Sequence, residues 1–295
     1  MAFAEKLKTI RKQAGMSQEQ LSEKLSVSRQ AITKWEAGSG TPDIGNLMAI
    51  SALFGISLDD LLENKKAERK TSDFLFESVT EYDIDEPKRY DMKLGGAKKL
   101  VLFGYGGEKI RVRLTSDTLE SLQSDFKVKI DDIRKRIDVE VNRKNVTEAM
   151  AKEAVFIFVQ IPSPYVGKIE LAVNSETVEV NNLECDNIEL DLKAQNVRLD
   201  GVVGTVEINC NLDMEIVCQS LKGEIAINQV AATSKIHIPE GTSFTACAKG
   251  IGTNIFYEKE GRQAEPFDVP EAGNLIELNG IKSELVICSD SGMMR

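Results

Sequence analysis

Histidine is almost missing from this chain: His237 is the one histidine in 295 residues. A Ser-His-Asp triad or a His-rich metal site cannot be built from it alone. It alternates with Ile236 and Ile238 and shares a face with Lys235, so it reads as a solvated strand residue. The five cysteines, Cys185, Cys210, Cys218, Cys247 and Cys288, all fall in the second half, and none forms a CxxC pair. Their spacing suits no zinc site, which leaves small buried hydrophobes as the plain reading and a redox-sensing pair as the sharper one. Long apolar runs are missing too. The longest, Ala154 to Val159, is strand-sized, far short of the roughly 20 residues of a membrane span. The opening MAFAEKLKTIRKQ has no apolar core of a signal peptide. No Ala-Gly cleavage pair falls between the domains expected below, and no calcium-binding solenoid repeat is present. The expectation is a cytoplasmic chain that is not an enzyme, with no catalytic residue, no metal, no cofactor and no membrane partner.

Positive charge is scarce and unevenly spread. Lys and Arg number 37 against 47 Asp and Glu, for a net charge of −10. Residues 1–70 carry a net +2 and the remainder −12. An acidic body repels phosphate, so only the first part of the chain suits a nucleic acid. A net of +2 predicts modest non-specific affinity, which pairing of two copies would raise. With 295 residues, 42% hydrophobic and 28% charged, the chain is ordinary in composition and long enough for two domains.

The informative stretch is Ser17 to Gly38, SQEQLSEKLSVSRQAITKWEAG. Ser17 with Gln20 three residues on is a capping box, and Leu21 and Leu25 lie on one face of the helix it starts. Ser28 caps a second helix that runs to about Ala37, with Gly38 as its C-cap. A helix advances about 100° per residue. With Arg29 at zero, Thr33 falls at roughly 40°, Gln30 at roughly 100° and Lys34 at roughly 140°. Ala31, Ile32 and Trp35 occupy the opposite arc, between roughly 200° and 300°. The apolar arc must face a core, so the polar arc points outward. Arg and Lys can reach guanine O6 and N7, and Gln can pair with adenine N6 and N7, which is what major-groove readout requires.

The stretch resembles the helix-turn-helix of the Xre family, which includes the phage repressors. The match runs from LKTIRKQAGMSQEQLSEKLSVSRQAITKWEAG through TPDIGNLMAISALFGISLDDLLE, about residues 3–63. The resemblance implies a small helical bundle that binds double-stranded DNA. It implies that Gln18 and Ser28 hold phosphates while Arg29, Gln30 and Lys34 approach base edges, with Thr33 on the same arc. It also implies a partly buried ion pair between Arg11 and Glu36. The loop after the second motif helix, Ser39-Gly40-Thr41, departs from the family in lacking basic residues; Ser39 is its candidate contact.

Around this motif the sequence predicts a first helix over about Ala2 to Ala14. A fourth helix opens at Thr41-Pro42-Asp43 with Pro42 in its first position, and Ser57 caps a short fifth. Residues 67–89 read as a linker. From about Tyr90 the hydrophobic period becomes two. The glycines of Gly104-Tyr105-Gly106-Gly107 form a turn between strands rather than a nucleotide loop, because no helix follows. Thr147 to Glu153 reads as one helical turn. Then Ile169, Ile188, Val206 and Ile225 head similar short strands at offsets of 19, 18 and 19 residues. Val178 and Val197 repeat 19 apart between them. Paired short strands repeated near every nineteen residues, with Asn and Asp at the joints, predict a β-solenoid. The segment from Ser234 to Ile287 would continue as strands and cap the stack. Residues 90–290 resemble the bacterial adhesin-like β-solenoid domains, a resemblance that brings no catalytic residues.

The expected fold is therefore multidomain. Residues 1–66 form an all-α helix-turn-helix bundle, 67–89 a linker, and 90–295 an all-β domain of β-solenoid type. The expected function is sequence-specific transcription regulation by a homodimer that reads two half-sites in double-stranded DNA. The β domain would serve oligomerisation, or sensing of a protein or small-molecule effector. The alternative is a protein-interaction scaffold or antitoxin-like partner in which the β domain binds another protein.

Overall fold

The computed structural model describes residues 3–13, 16–36, 40, 42–54 and 74–290. The chain divides into two compact units, Met1–Asp73 and Phe74–Arg295.

The first unit holds α1 (Phe3–Gln13), α2 (Gln18–Lys24), α3 (Arg29–Glu36) and α4 (Ile44–Phe54). Its core is Leu7, Leu21, Leu25, Ile32, Trp35 and Ile50, with Phe3, Ile10 and Leu47 packed against it. The capping box on α2 is complete: Ser17 Oγ accepts from the Gln20 N–H and the Gln20 side chain accepts from the Ser17 N–H. The turn into α3 is a left-handed C-terminal cap built on Ser26, at φ 53°. The Val27 N–H reaches back to the Ser22 carbonyl at 3.0 Å and the Ser26 N–H to that of Glu23 at 3.2 Å, satisfying two orphan carbonyls of α2. Pro42 does not open α4; it precedes it. Asp43 is the cap, its Oδ1 accepting from the Asn46 N–H at 2.8 Å, because a side-chain acceptor at this position answers a first-turn N–H that has no partner within the helix. The expected fifth helix at Ser57 and the Gly38 cap lie outside the described residues.

The second unit is almost entirely strand. It opens with β1 (Phe76–Asp83), β2 (Lys88–Tyr105) and β3 (Lys109–Ser116). There follow α5 (Leu122–Asp125), β4 (Phe126–Ile133), β5 (Arg136–Arg143), α6 (Glu148–Ala154) and β6 (Phe156–Pro162). Then come β7 (Val166–Asn181), β8 (Glu184–Lys193), β9 (Asn196–Asp200), β10 (Val203–Asn209), β11 (Glu215–Cys218), β12 (Lys222–Val230) and β13 (Thr233–Pro239). The last strands are β14 (Thr245–Ile251), β15 (Asn254–Lys259), β16 (Arg262–Gln263), β17 (Leu275–Ile281) and β18 (Glu284–Asp290).

Part of the expected linker is sheet. Residues 76–83 form β1, which pairs antiparallel with β3 along its whole length, from Phe76 opposite Ser116 to Asp83 opposite Lys109. Phe74 packs against Phe156, the rings tilted by 48° with centroids 5.0 Å apart, and the second compact unit starts at Phe74. Residues 67–73 lie outside the described residues. The chain turns between β2 and β3 at the expected glycines, and β3 then pairs with β1 and β6.

β2 pairs parallel with β5, β6 and β7, β4 pairs antiparallel with β5, and from β7 onward two parallel ladders run through the unit. The first half of β7 stacks on β8, then β10, β12 and β17; the second half stacks on β9, then β11, β13 and β18. Ile169, Ile188, Val206, Ile225 and Ile276 are direct partners along the first ladder. Val178, Val197, Ile216, Ile236 and Ile287 are partners along the second. All ten are buried. The near-nineteen-residue spacing in the sequence is thus the register of the ladders. A slip of one residue would turn every member of a row out to water. At one step of the first ladder only glycine fits: at φ 121°, a Cβ on Gly223 would lie 2.2 Å from the Gly204 carbonyl oxygen.

The C-terminal strands do not cap the stack in sequence order. β17 lies between β12 and β14, and β18 lies between β13 and β15. The end of the stack is β14 and β15, and the last two strands are inserted behind them. Apolar alternation marks each of these segments as a strand but carries no information on stacking order.

Candidate nucleic-acid interface

α3 has the two arcs expected of it. Ile32 and Trp35 are buried, while Arg29, Gln30, Thr33 and Lys34 are exposed. Its orientation is fixed at its last residue. Arg11 of α1 meets Glu36 at two points, Nε to Oε1 at 2.6 Å and Nη2 to Oε2 at 2.9 Å. The two side chains are only 9% and 3% exposed. Arg11 Nη1 also donates to the Met16 carbonyl at 2.7 Å, which ties down the α1–α2 connection. Burial alone pushes the Glu36 carboxyl up, but hydrogen bonds from Arg11 and Gln18 outweigh it and hold the carboxyl below its ordinary range.

Gln18, the first residue of α2, is part of this lock. Its Nε2 donates to Glu36 Oε2 at 2.9 Å, and its Oε1 faces the Thr33 hydroxyl at 3.3 Å. The Thr33 hydroxyl also lies 3.0 Å from the Arg29 carbonyl and has a single proton to share. Gln18 therefore joins α2 to α3, with one Nε2 proton left to donate outward. Ser28 Oγ accepts from the Ala31 N–H at 3.2 Å, and its own proton can donate outward from the same end of α3. The structure thus brings Gln18, Ser28, Arg29, Gln30, Thr33 and Lys34 together around α2 and α3. Ser39 lies outside the described residues.

The sequence reading missed Glu19. Its Oε2 stands 3.6 Å from Arg29 Nε, between side chains that are 59% and 66% exposed. The two residues lie on different helices, so no periodicity links them.

The β unit offers less chemistry. Among the described residues no group of three or more His, Cys, Asp or Glu could hold a metal. Cys185, Cys210, Cys218 and Cys288 are buried, and no disulfide joins any of the five. Burial pushes the Cys218 thiol up to about 11 and raises that of Cys185, which disfavours the reactive thiolate. His237 faces the Glu215 carboxylate on the outer surface of β13 and β11.

Known proteins match the helical unit. A helix-turn-helix family profile covers residues 7–61. The HTH-type transcriptional activator BcrR of Enterococcus faecalis is 46% identical over 66 residues, which is 22% of this chain and 32% of that protein. The match to BcrR thus spans about a third of that relative's length. The HTH-type transcriptional regulator YqaE of Bacillus subtilis, itself uncharacterized, is 39% identical over 88 residues, 30% of this chain and 72% of that one. The HTH-type transcriptional regulator ImmR of Bacillus subtilis is 29% identical over 94 residues, 32% and 74% of the two chains. Among solved structures, a candidate cell adhesion protein from Clostridium sporogenes aligns with 72% of this chain and 100% of its own, at 13% identity and a TM-score of 0.37, a distant likeness.

Proposed function

The chain belongs to the helix-turn-helix family of transcriptional regulators, and from that premise we propose that it reads a specific sequence in double-stranded DNA through α3, two copies at a time. The observation that carries this is the exposed arc of Arg29, Gln30, Thr33 and Lys34 on a helix locked from behind by Arg11 and Glu36. A recognition helix must enter the major groove in one orientation, and a buried two-point ion pair gives it one. Arg29, Gln30 and Lys34 reach base edges; Gln18 and Ser28 donate to flanking phosphates, and Ser39 belongs to the same contact set. The two copies occupy half-sites about one DNA turn apart, ~34 Å.

The β unit is a β-solenoid that pairs the copies or senses an effector. Its net charge of −11 over residues 74–295 keeps it off the phosphates and leaves contact with DNA to the helical unit. DNA binding gives the protein a cytoplasmic place of work, and no described helix is long and apolar enough to cross a membrane.

The test is selection of bound fragments from genomic DNA, run in parallel on the full chain and on residues 1–66. Enrichment of paired half-sites by the full chain, with weak or no enrichment by the helical unit alone, is the expected result. If neither enriches a sequence, the reading fails and the search moves to a protein partner for the β unit.

A further inference from the structure

Arg29 is the first residue of α3, and α3 has no acidic residue in its first turn. A cation there sits against the positive end of the helix dipole. The missing negative charge comes from the other motif helix: Glu19, in the first turn of α2, places Oε2 at 3.6 Å from Arg29 Nε. This is ion-pair distance, too long for a hydrogen bond. Next to it, Gln18 and Thr33 bridge the same two helices at 3.3 Å. The outward surface of the motif is therefore cross-linked at two adjacent points, one of which bears on Arg29, one of the three side chains proposed to read bases.

We propose that Glu19 is a specificity-determining positioning residue that acts through Arg29. This rests on the DNA-reading function proposed above. An unopposed Arg29 would gain from any phosphate, since a phosphate asks only for charge. With a carboxylate on its Nε side, that gain shrinks. The Arg29 side chain stays 66% exposed, and a guanine edge, with O6 and N7 side by side, rewards the geometry of a guanidinium fork as well as its charge. Glu19 thus trades general affinity for discrimination. Its exposure leaves it little part in the stability of the unit, as expected of a surface pair.

The test uses the full chain and three duplexes of equal length: the sequence enriched by genomic selection, the same sequence changed at the one base pair whose preference Arg29→Ala relaxes, and a random sequence. Glu19→Gln removes the charge and keeps the shape. It is expected to tighten binding to the random duplex and to steepen the dependence of log affinity on log salt by about 0.9, one added phosphate contact. Discrimination at the base pair read by Arg29 should fall by about tenfold. In an Arg29→Ala background the same Glu19 change should alter neither the discrimination nor the salt slope. Glu19→Asp should restore part of the discrimination, and Trp35 emission should show all variants folded. Equal effects of Glu19→Gln with and without Arg29 would overturn the proposal, leaving a carboxylate that merely repels phosphate; so would unchanged discrimination. If the unaltered chain shows no preference for its selected duplex, the DNA-reading function itself falls, and with it this inference.

Discussion

Asn279 and Asn228 stand 51 residues apart in the sequence, yet the Asn279 amide donates to Asn228 Oδ1 at 3.0 Å. Asn228 in turn donates to Asn209 Oδ1 at 2.6 Å, and Asn209 to Asp191 Oδ1 at 2.8 Å. The second amide proton of Asn228 goes to Glu207 at 2.8 Å, and that of Asn279 to Glu277 at 2.8 Å. The ladder crosses from β8 to β17, so it stitches the inserted C-terminal strand to the strands that precede it in sequence.

Replacing Asn228 with Ala breaks the ladder, leaving one acceptor on Asn209, one on Glu207 and one donor on Asn279 without that partner. The cost expected is about 1–2 kcal/mol, since the row is partly open to water. Urea unfolding followed by far-ultraviolet circular dichroism measures it. Trp35, the single tryptophan, lies in the other unit and should report no change. An unaltered midpoint for the β unit would show that the amides contribute nothing beyond their water bonds.

Much of this architecture is legible in the sequence because local chemistry and tertiary role coincide. Ser17 and Gln20 announce the start of α2 in four letters, and the two arcs of α3 follow from a helical wheel. The offsets from Ile169 to Ile225 are the ladder register itself. What stayed hidden has no local signature. β1 pairs on one side only and holds no fully buried residue, so its alternation is too weak to separate it from a linker. The insertion of β17 and β18 is a matter of order, which identical strand patterns cannot encode. Glu19 meets Arg29 across a turn, where neither helical nor strand spacing applies.

Ser26 holds the left-handed position of the α2–α3 turn at φ 53°, a conformation that glycine adopts without a Cβ penalty. Ser26→Gly is expected to stabilise the helical unit by about 0.5–1 kcal/mol, net of the greater freedom of glycine in the unfolded chain. Thermal unfolding followed by Trp35 emission gives the sign directly. A lower melting temperature would mean that the Ser26 side chain contributes more than its backbone strain costs.

Arg29 and Gln18 should fail in different ways. Arg29→Ala is expected to cost on the order of 1–3 kcal/mol at one base pair and to relax preference there. Gln18→Ala should weaken binding to all sequences alike. Because the Gln18 amide also donates to Glu36, the same change should lower the stability of the helical unit by about 1 kcal/mol. Binding to a panel of single-base variants of the selected duplex separates the two. A Gln18 variant that changes base preference, or an Arg29 variant that does not, would put the wrong residue in the groove.

The Arg11–Glu36 pair makes the helical unit sensitive to acid in a direction fixed by its chemistry. The Glu36 carboxyl is held below its ordinary range in the folded chain, so its contribution is fully present above the unfolded value of about 4.3 and is lost as pH falls through the folded value. Arg11→Met removes the main hydrogen-bonding partner and leaves a nearly buried carboxylate with the Gln18 hydrogen bond and the charge of Lys8 to answer it. At neutral pH the cost expected is roughly 3 kcal/mol, the low end for breaking a buried pair. In that variant burial dominates, the carboxyl moves up, and protonation on acidification relieves the penalty. The stability difference between the two proteins should therefore narrow as pH falls from neutral toward about 4. Unfolding midpoints read by Trp35 emission across that range test it. A difference that stays constant with pH would place the cost of the substitution in lost packing of the arginine stem rather than in the charge of Glu36.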